Sequence, residues 1–138
     1  MDGNFTGMNA TLIKAQFNFN VTKKISQISV DQVDEIVIGK IQEHHFGLVI
    51  TRRLSISQID QVLAEAVFNV RIDTDNTETS SSITQKIKDG MPILGNVFSR
   101  ISLVISQITS QSPYGPIITV PSYDKNKVVV RVFQEETE

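Results

Sequence analysis

Between Gly90 and Tyr123 the chain carries a single charged side chain, Arg100. Within that stretch Leu94, Val97, Phe98, Ile101, Ile105 and Ile108 recur at the spacing of one helix face, so residues 92–109 are expected to form a long helix. A second set, Gly95, Ser99, Ser102 and Ser106, places only small side chains on a neighbouring face. A helix exposed to water ordinarily shows a charged face, and this one shows none. It must therefore be covered on more than one side. Small side chains let another backbone come close, and two coverings fit equally: a segment of the same chain, or a helix of a second copy. On the second reading Gly95, Ser99, Arg100, Ser102 and Ser106 form an oligomer interface. Arg100 would there bond carbonyls, or else reach solvent along its stem.

The rest of the chain offers strands to receive this helix. Ile13, Ala15, Phe17, Phe19 and Val21 alternate with polar residues and predict a half-buried strand over 13–22. Phe46, Leu48, Ile50, Leu54 and Ile56 predict a second, with Arg52 the one polar residue on its apolar face. Val62, Ala64, Ala66, Phe68, Val70 and Ile72 predict a third, joined to the second through a connection at 57–61. Residues 25–45 read two ways. Val33, Ile36, Val37 and Ile41 suit a helix begun by Asp31, whereas 35–41 suit a β-branched strand interrupted by Gly39; the strand is preferred. Residues 1–7 read as a loose terminus and 73–82 as a polar loop. Ser82 is placed to cap a short helix, 83–88, that Gly90 stops. Pro92 suits the first turn of the long helix. Pro113, Gly115, Pro116 and Pro121 then forbid further helix and leave Ile117, Ile118 and Val120 in an extended apolar arm. A last strand is expected at 128–133 and an acidic tail at 134–138.

Strands first and one long helix afterwards argue an α+β fold: an antiparallel sheet of about four strands with the helix at about 92–109 packed on one face. At 138 residues, 40% hydrophobic and 20% charged, the chain reads as a single globular domain spanning 1–138. Its net charge of −2 and lack of a basic cluster argue against nucleic acid. Cysteine is absent, which excludes disulfides and thiolate metal sites. With no apolar run of about 18 residues and no basic–apolar–small start, neither membrane insertion nor a secretory signal is expected, and cytoplasm is the default.

Catalytic constellations are missing. His44 and His45 are the only histidines, and as neighbours on a strand they point to opposite faces. Asp73, Asp75, Asn76 and Glu78 faintly suggest a calcium loop but lack its glycine and spacing. Ser80, Ser81 and Ser82 have no base or glycine elbow. No enzyme, no metal and no cofactor is expected. Phe17, Phe19, Phe46, Phe68 and Phe98 sit in periodic apolar sets and read as core.

The carboxy-terminal third resembles the SecB family of protein-export chaperones. The family pattern is a proline, an apolar helix with an arginine eight residues on, and about thirteen residues later a proline-flanked apolar segment closing on an aromatic. Pro92, Arg100 and Pro113 keep those spacings, and Pro116-Ile117-Ile118-Thr119-Val120-Pro121-Ser122-Tyr123 matches the closing segment. The likeness covers residues 92–123. Two departures stand out: Leu94-Gly95-Asn96-Val97-Phe98 replaces the family's aromatic-proline-aromatic step, and a strand is expected where the family usually ends in a helix. The resemblance implies a cytoplasmic chaperone that binds unfolded polypeptides along apolar grooves. It also implies self-assembly as dimers or dimers of dimers, and the export motor ATPase SecA or an antitoxin as partner. Tyr114, Ile117, Ile118, Val120 and Tyr123 are the candidate polypeptide-binding residues. The alternative is an oligomeric α+β adaptor or structural module with one dedicated protein partner.

Overall fold

The computed structural model describes residues 5–18, 29–57, 61–113 and 115–133. Along the chain run β1 (Phe5–Phe17), β2 (Val30–Ile41), β3 (His45–Ile56), β4 (Gln61–Thr74), α1 (Ser80–Asp89), α2 (Gly95–Thr109) and β5 (Val129–Val132). A 3-10 turn, Pro92–Leu94, leads into α2, so the helix expected from Pro92 tightens over its first turn. The strands form one sheet in the order β1-β4-β3-β2-β5. The α+β class holds, with two corrections. Among the described residues the sheet has five strands rather than about four, and it is mixed, because β5 lies parallel to β2. A parallel neighbour needs a crossover of a dozen or more residues. Here α1, α2 and the arm together supply it.

β2 resolves the ambiguity at 25–45. Ile36 and Ile38 are fully buried and alternate with half-buried Glu35 and Val37, the period of a strand. The interruption at Gly39 is a register slip between Ile38 and Ile41, where a Cβ would meet Gly47 O at 3.4 Å. β1 corrects the reading of the amino terminus. It begins at Phe5, inside the segment expected to be loose, because Phe5 pairs with Thr74 and sets its ring edge-on to Phe46 at 5.9 Å. The alternation expected from Ile13 is broken by a bulge between Leu12 and Lys14, which leaves Ile13 56% exposed while Met8 and Ala10 pack on the core. Phe19 and Val21, the lead-in at 25–28, the connection 58–60 and the acidic tail 134–138 lie outside the described residues.

The expected cap moves by one turn. Thr79 caps α1 by accepting from Ser82 N–H, and Ser82 Oγ accepts from Thr79 N–H, a reciprocal box that starts the helix at Ser80. Gly90, at φ 101°, stops it. The chain then bends by 75° between α1 and the segment Pro92–Thr109. Among the described residues no single helix is long and apolar enough to cross a membrane.

Both helices lie on one face of the sheet. Ile83 and Ile87 of α1, and Val97, Phe98, Ile101 and Ile105 of α2, are buried against the alternating apolar set of β2, β3 and β4. Full burial of each such side chain stabilises by about 1.5–3 kcal/mol. The opposite face is mixed, with Val37, Val49 and Val67 half-buried among polar side chains. There Glu65 Oε1 lies 2.7 Å from Lys14 Nζ, and Arg53 Nε donates to Oε2 at 2.9 Å. The hydrogen bond from Lys14 first, then Arg53, holds the Glu65 carboxyl below the ordinary glutamate range, against burial, which raises it. Its contribution to stability is therefore complete above the unfolded glutamate value and lost as pH falls through the lowered folded value. Glu65→Gln should flatten the acid limb of a melting-temperature profile while leaving the core intact; an unchanged limb would show that other carboxylates set it.

Candidate functional site: an arm clamped by a buried arginine

Past α2 the chain turns through Gly115, at φ 78°, a conformation that favours glycine. Thr109 Oγ1 donates to Ile105 O at 2.7 Å and accepts from Ile117 N–H at 2.8 Å, so the last helical residue sets the start of the arm. The arm then runs extended across the helix-covered side. Ile117 is half-buried against the core and Thr119 is buried, whereas Ile118 is 74% and Val120 64% exposed. Alternate residues thus face opposite ways, as in any extended chain.

Arg52, the polar residue on the apolar face of β3, holds this arm. Its side chain is fully buried and forks onto Asp34 of β2, Nε to Oδ1 at 2.7 Å and Nη2 to Oδ2 at 2.9 Å. The remaining donors reach Thr119 Oγ1 at 2.9 Å, Val120 O at 2.6 Å and Ser122 O at 2.8 Å. Its guanidinium carbon sits 5.4 Å from the Phe98 ring centroid. A buried cation is tolerated only when paired and fully hydrogen-bonded, and Arg52 is both.

Tyr123 ends the arm. Its hydroxyl accepts from Met91 N–H at 2.8 Å and donates to Ile87 O at 2.7 Å, spanning the bend between α1 and the 3-10 turn. Its ring lies 5.1 Å from Phe98. Tyr114 lies outside the described residues. Of the candidate polypeptide-binding residues, Ile118 and Val120 thus face outward, Ile117 faces the core, and Tyr123 bridges backbone groups.

The small-residue stripe on α2 is divided. Ser102 Oγ donates to Thr119 O at 2.7 Å, so at mid-helix the arm itself is the covering segment. Gly95 is half-buried with nothing within 4 Å of a Cβ, Ser106 is half-buried, and Ser99 is exposed. Arg100 is exposed and bonds a carbonyl of its own chain, Ala10 O, at 3.3 Å. Leu103, one turn further on, is 58% exposed.

Beside the arm lies a groove of about 530 Å³ between β2 and the chain that follows, walled by Val30, Gln32 and Asp34 on one side and by Val120, Ser122 and Tyr123 on the other. Sequence reasoning singled out Arg52 but gave it no partner. Asp34 is what it missed, because pairing them requires the register of two strands. His44 is exposed at the β2–β3 turn, 3.8 Å from Glu43, and His45 opens β3. Among the described residues no three His, Asp or Glu side chains group as for a metal.

A sheet with one face covered by a bent helix pair and an arm is a SecB-like α+β fold. Among solved structures, the chain is similar to the SecB-like chaperone of Mycobacterium tuberculosis in complex with a ChAD peptide from the HigA1 antitoxin, with a TM-score of 0.65. The two share 13% identity, over 88% of this chain and 89% of that chain. No family model matches the sequence, and no curated protein matches it either.

Proposed function

We propose that the protein is a cytoplasmic SecB-like chaperone that holds unfolded or non-native polypeptides by non-covalent contact, the arm and its groove being the client site. The observation that carries this is the pair Ile118 and Val120, exposed to 74% and 64% on a backbone fixed by Arg52. Two large apolar side chains held rigidly in water serve no internal packing. They do serve a partner, because a preordered site loses little entropy when it binds. The groove adds backbone groups for an extended chain, which gives affinity without strict sequence readout. That the mycobacterial protein was captured with a peptide from another protein supports this client class. Export through SecA is a finer reading of the same site.

Self-association, as dimers or dimers of dimers, is part of this proposal. It would use the α2 face carrying Gly95, Ser99, Arg100 and Ser106 with exposed Leu103, while Ser102 belongs to the arm contact. Light scattering that reads a monomer at micromolar concentration would overturn it.

The test of the client site is an asymmetric pair. Ile118→Ala should leave the melting temperature almost unchanged and weaken capture of reduced, carboxymethylated α-lactalbumin by about 1 kcal/mol or more, the mark of a dominant contact. Ile117→Ala should cost about 2 kcal/mol of stability, the low end for an aliphatic core truncation, with capture retained below its melting point. If Ile118→Ala binds like the wild type, the arm is not the site. Capture of a single protein, and of no unrelated unfolded chain, would favour a dedicated adaptor instead.

A further inference from the structure

We propose that β5 is a built-in occupant of the client edge: it pairs with β2 when no client is present and is displaced by an extended client chain. The inference rests on the chaperone reading above and names how that site is regulated. It starts from the direction of the β2 backbone. Phe133 N–H donates to Ile38 O at 2.8 Å, so even-numbered residues of β2 turn their amide groups towards β5. Ser29 O accepts from Ser57 N–H on the other side, as the alternation requires. Outward-facing groups therefore stand at Val30, Gln32, Asp34, Ile36 and Ile38. β5 engages only the part from Glu35 to Ile38. Among the described residues no strand lies against 30–34, and there the edge opens directly into the groove beneath Val120.

β5 is a weak occupant by length, direction and exposure, although Val130 packs on the core and Val128 just before the strand is buried. It is four residues long and runs parallel, the less stable pairing per residue. Val129 is 37% exposed, Val132 44% and the following Phe133 62%. Among the described residues its side-chain tether is Arg131 Nε to Glu35 Oε2 at 3.2 Å, with Arg131 largely exposed. An extended client laid along β2 from Val30 to Ile38 would satisfy a longer ladder than β5 does and would also reach Val120. Exchange thus trades a short ladder for a long one. Empty, the protein keeps part of its sticky edge covered.

A reversible lock tests this. Val37 and Arg131 are paired across the two strands, and the chain has no native cysteine. Neighbouring strands lie about 4.8 Å apart, within disulfide reach, so the Val37→Cys/Arg131→Cys variant can be fastened and released. Oxidised, with the bond verified by mass, it should bind carboxymethylated α-lactalbumin about tenfold or more weakly than its own reduced form, because the competent state is depopulated. A second variant, Arg131→Glu, sets like charges beside Glu35 and should tighten binding several-fold. Equal affinity of the locked and released forms overturns the inference, as does unchanged binding by Arg131→Glu. A wild type that binds no unfolded protein at all overturns the chaperone reading first, and is seen before either variant is made.

Discussion

Asp34→Ala is expected to lower the unfolding free energy by about 3–5 kcal/mol, the cost of breaking a buried ion pair by removing one partner. Arg52 is fully buried and Asp34 is 7% exposed, so neither side chain can turn to water for compensation. In the variant the guanidinium keeps its acceptors on Thr119, Val120 and Ser122 but loses the counter-charge of Asp34 and two of its hydrogen bonds. Arg52→Met removes the charge itself and frees the arm. The double variant Arg52→Met/Asp34→Ala should be less damaging than the sum of the two, since neither charge is then left buried without its partner. Urea unfolding of the four proteins measures this. An Asp34→Ala loss below about 1 kcal/mol, typical of an exposed pair, would mean that the Arg52–Asp34 pair is not sealed from water.

Tyr123→Phe is expected to cost about 1–3 kcal/mol. The ring still packs on Phe98, but Met91 N–H loses the hydroxyl that accepts from it, while Ile87 O loses one donor and keeps Gly90 N–H. Each buried group left unsatisfied costs about 1–3 kcal/mol. The variant also decides what Tyr123 is for. As a bridge it should lower the melting temperature and leave client capture intact in the cold. A client contact would show the reverse, weaker capture at unchanged stability.

The parts of the chain that could be read from sequence are those whose period is expressed without interruption. α2 and β3 repeat apolar residues on one face over their whole length and β4 does so from Ala64 on, with bounds close to those expected; Val62, expected on that face, is 45% exposed beside a register shift, and Leu63 is buried. β2 was ambiguous because Val33, Ile36, Val37 and Ile41 fit a helical face while the β-branched run 35–41 fits a strand; only packing on β3 separates them. β1 was displaced because the bulge at Ile13 breaks the alternation on which the expectation relied. Thr79 and Ser82 are equally good caps on chemistry alone. In the arm, the opposite facing of Ile117 and Ile118 was legible, since consecutive residues of an extended chain must diverge. That Arg52 would reach it was not, because the contact joins residues 67 to 70 positions apart, with β4, α1 and α2 between them. The parallel seat of β5 was equally hidden, as hydrophobic alternation carries no direction.

The bulges in β1 have a further consequence. β1 is the outer strand on its side of the sheet, and its register slips once between Phe5 and Gly7 and again between Leu12 and Lys14. Each slip twists the strand and disrupts the even row of amide groups that another sheet would need for continuous pairing. Lys14 adds a charge just past the second slip. On the proposed function the protein would keep company with edges eager to stack. An uneven margin on that side would let it hold such chains without itself becoming the seed of a fibril.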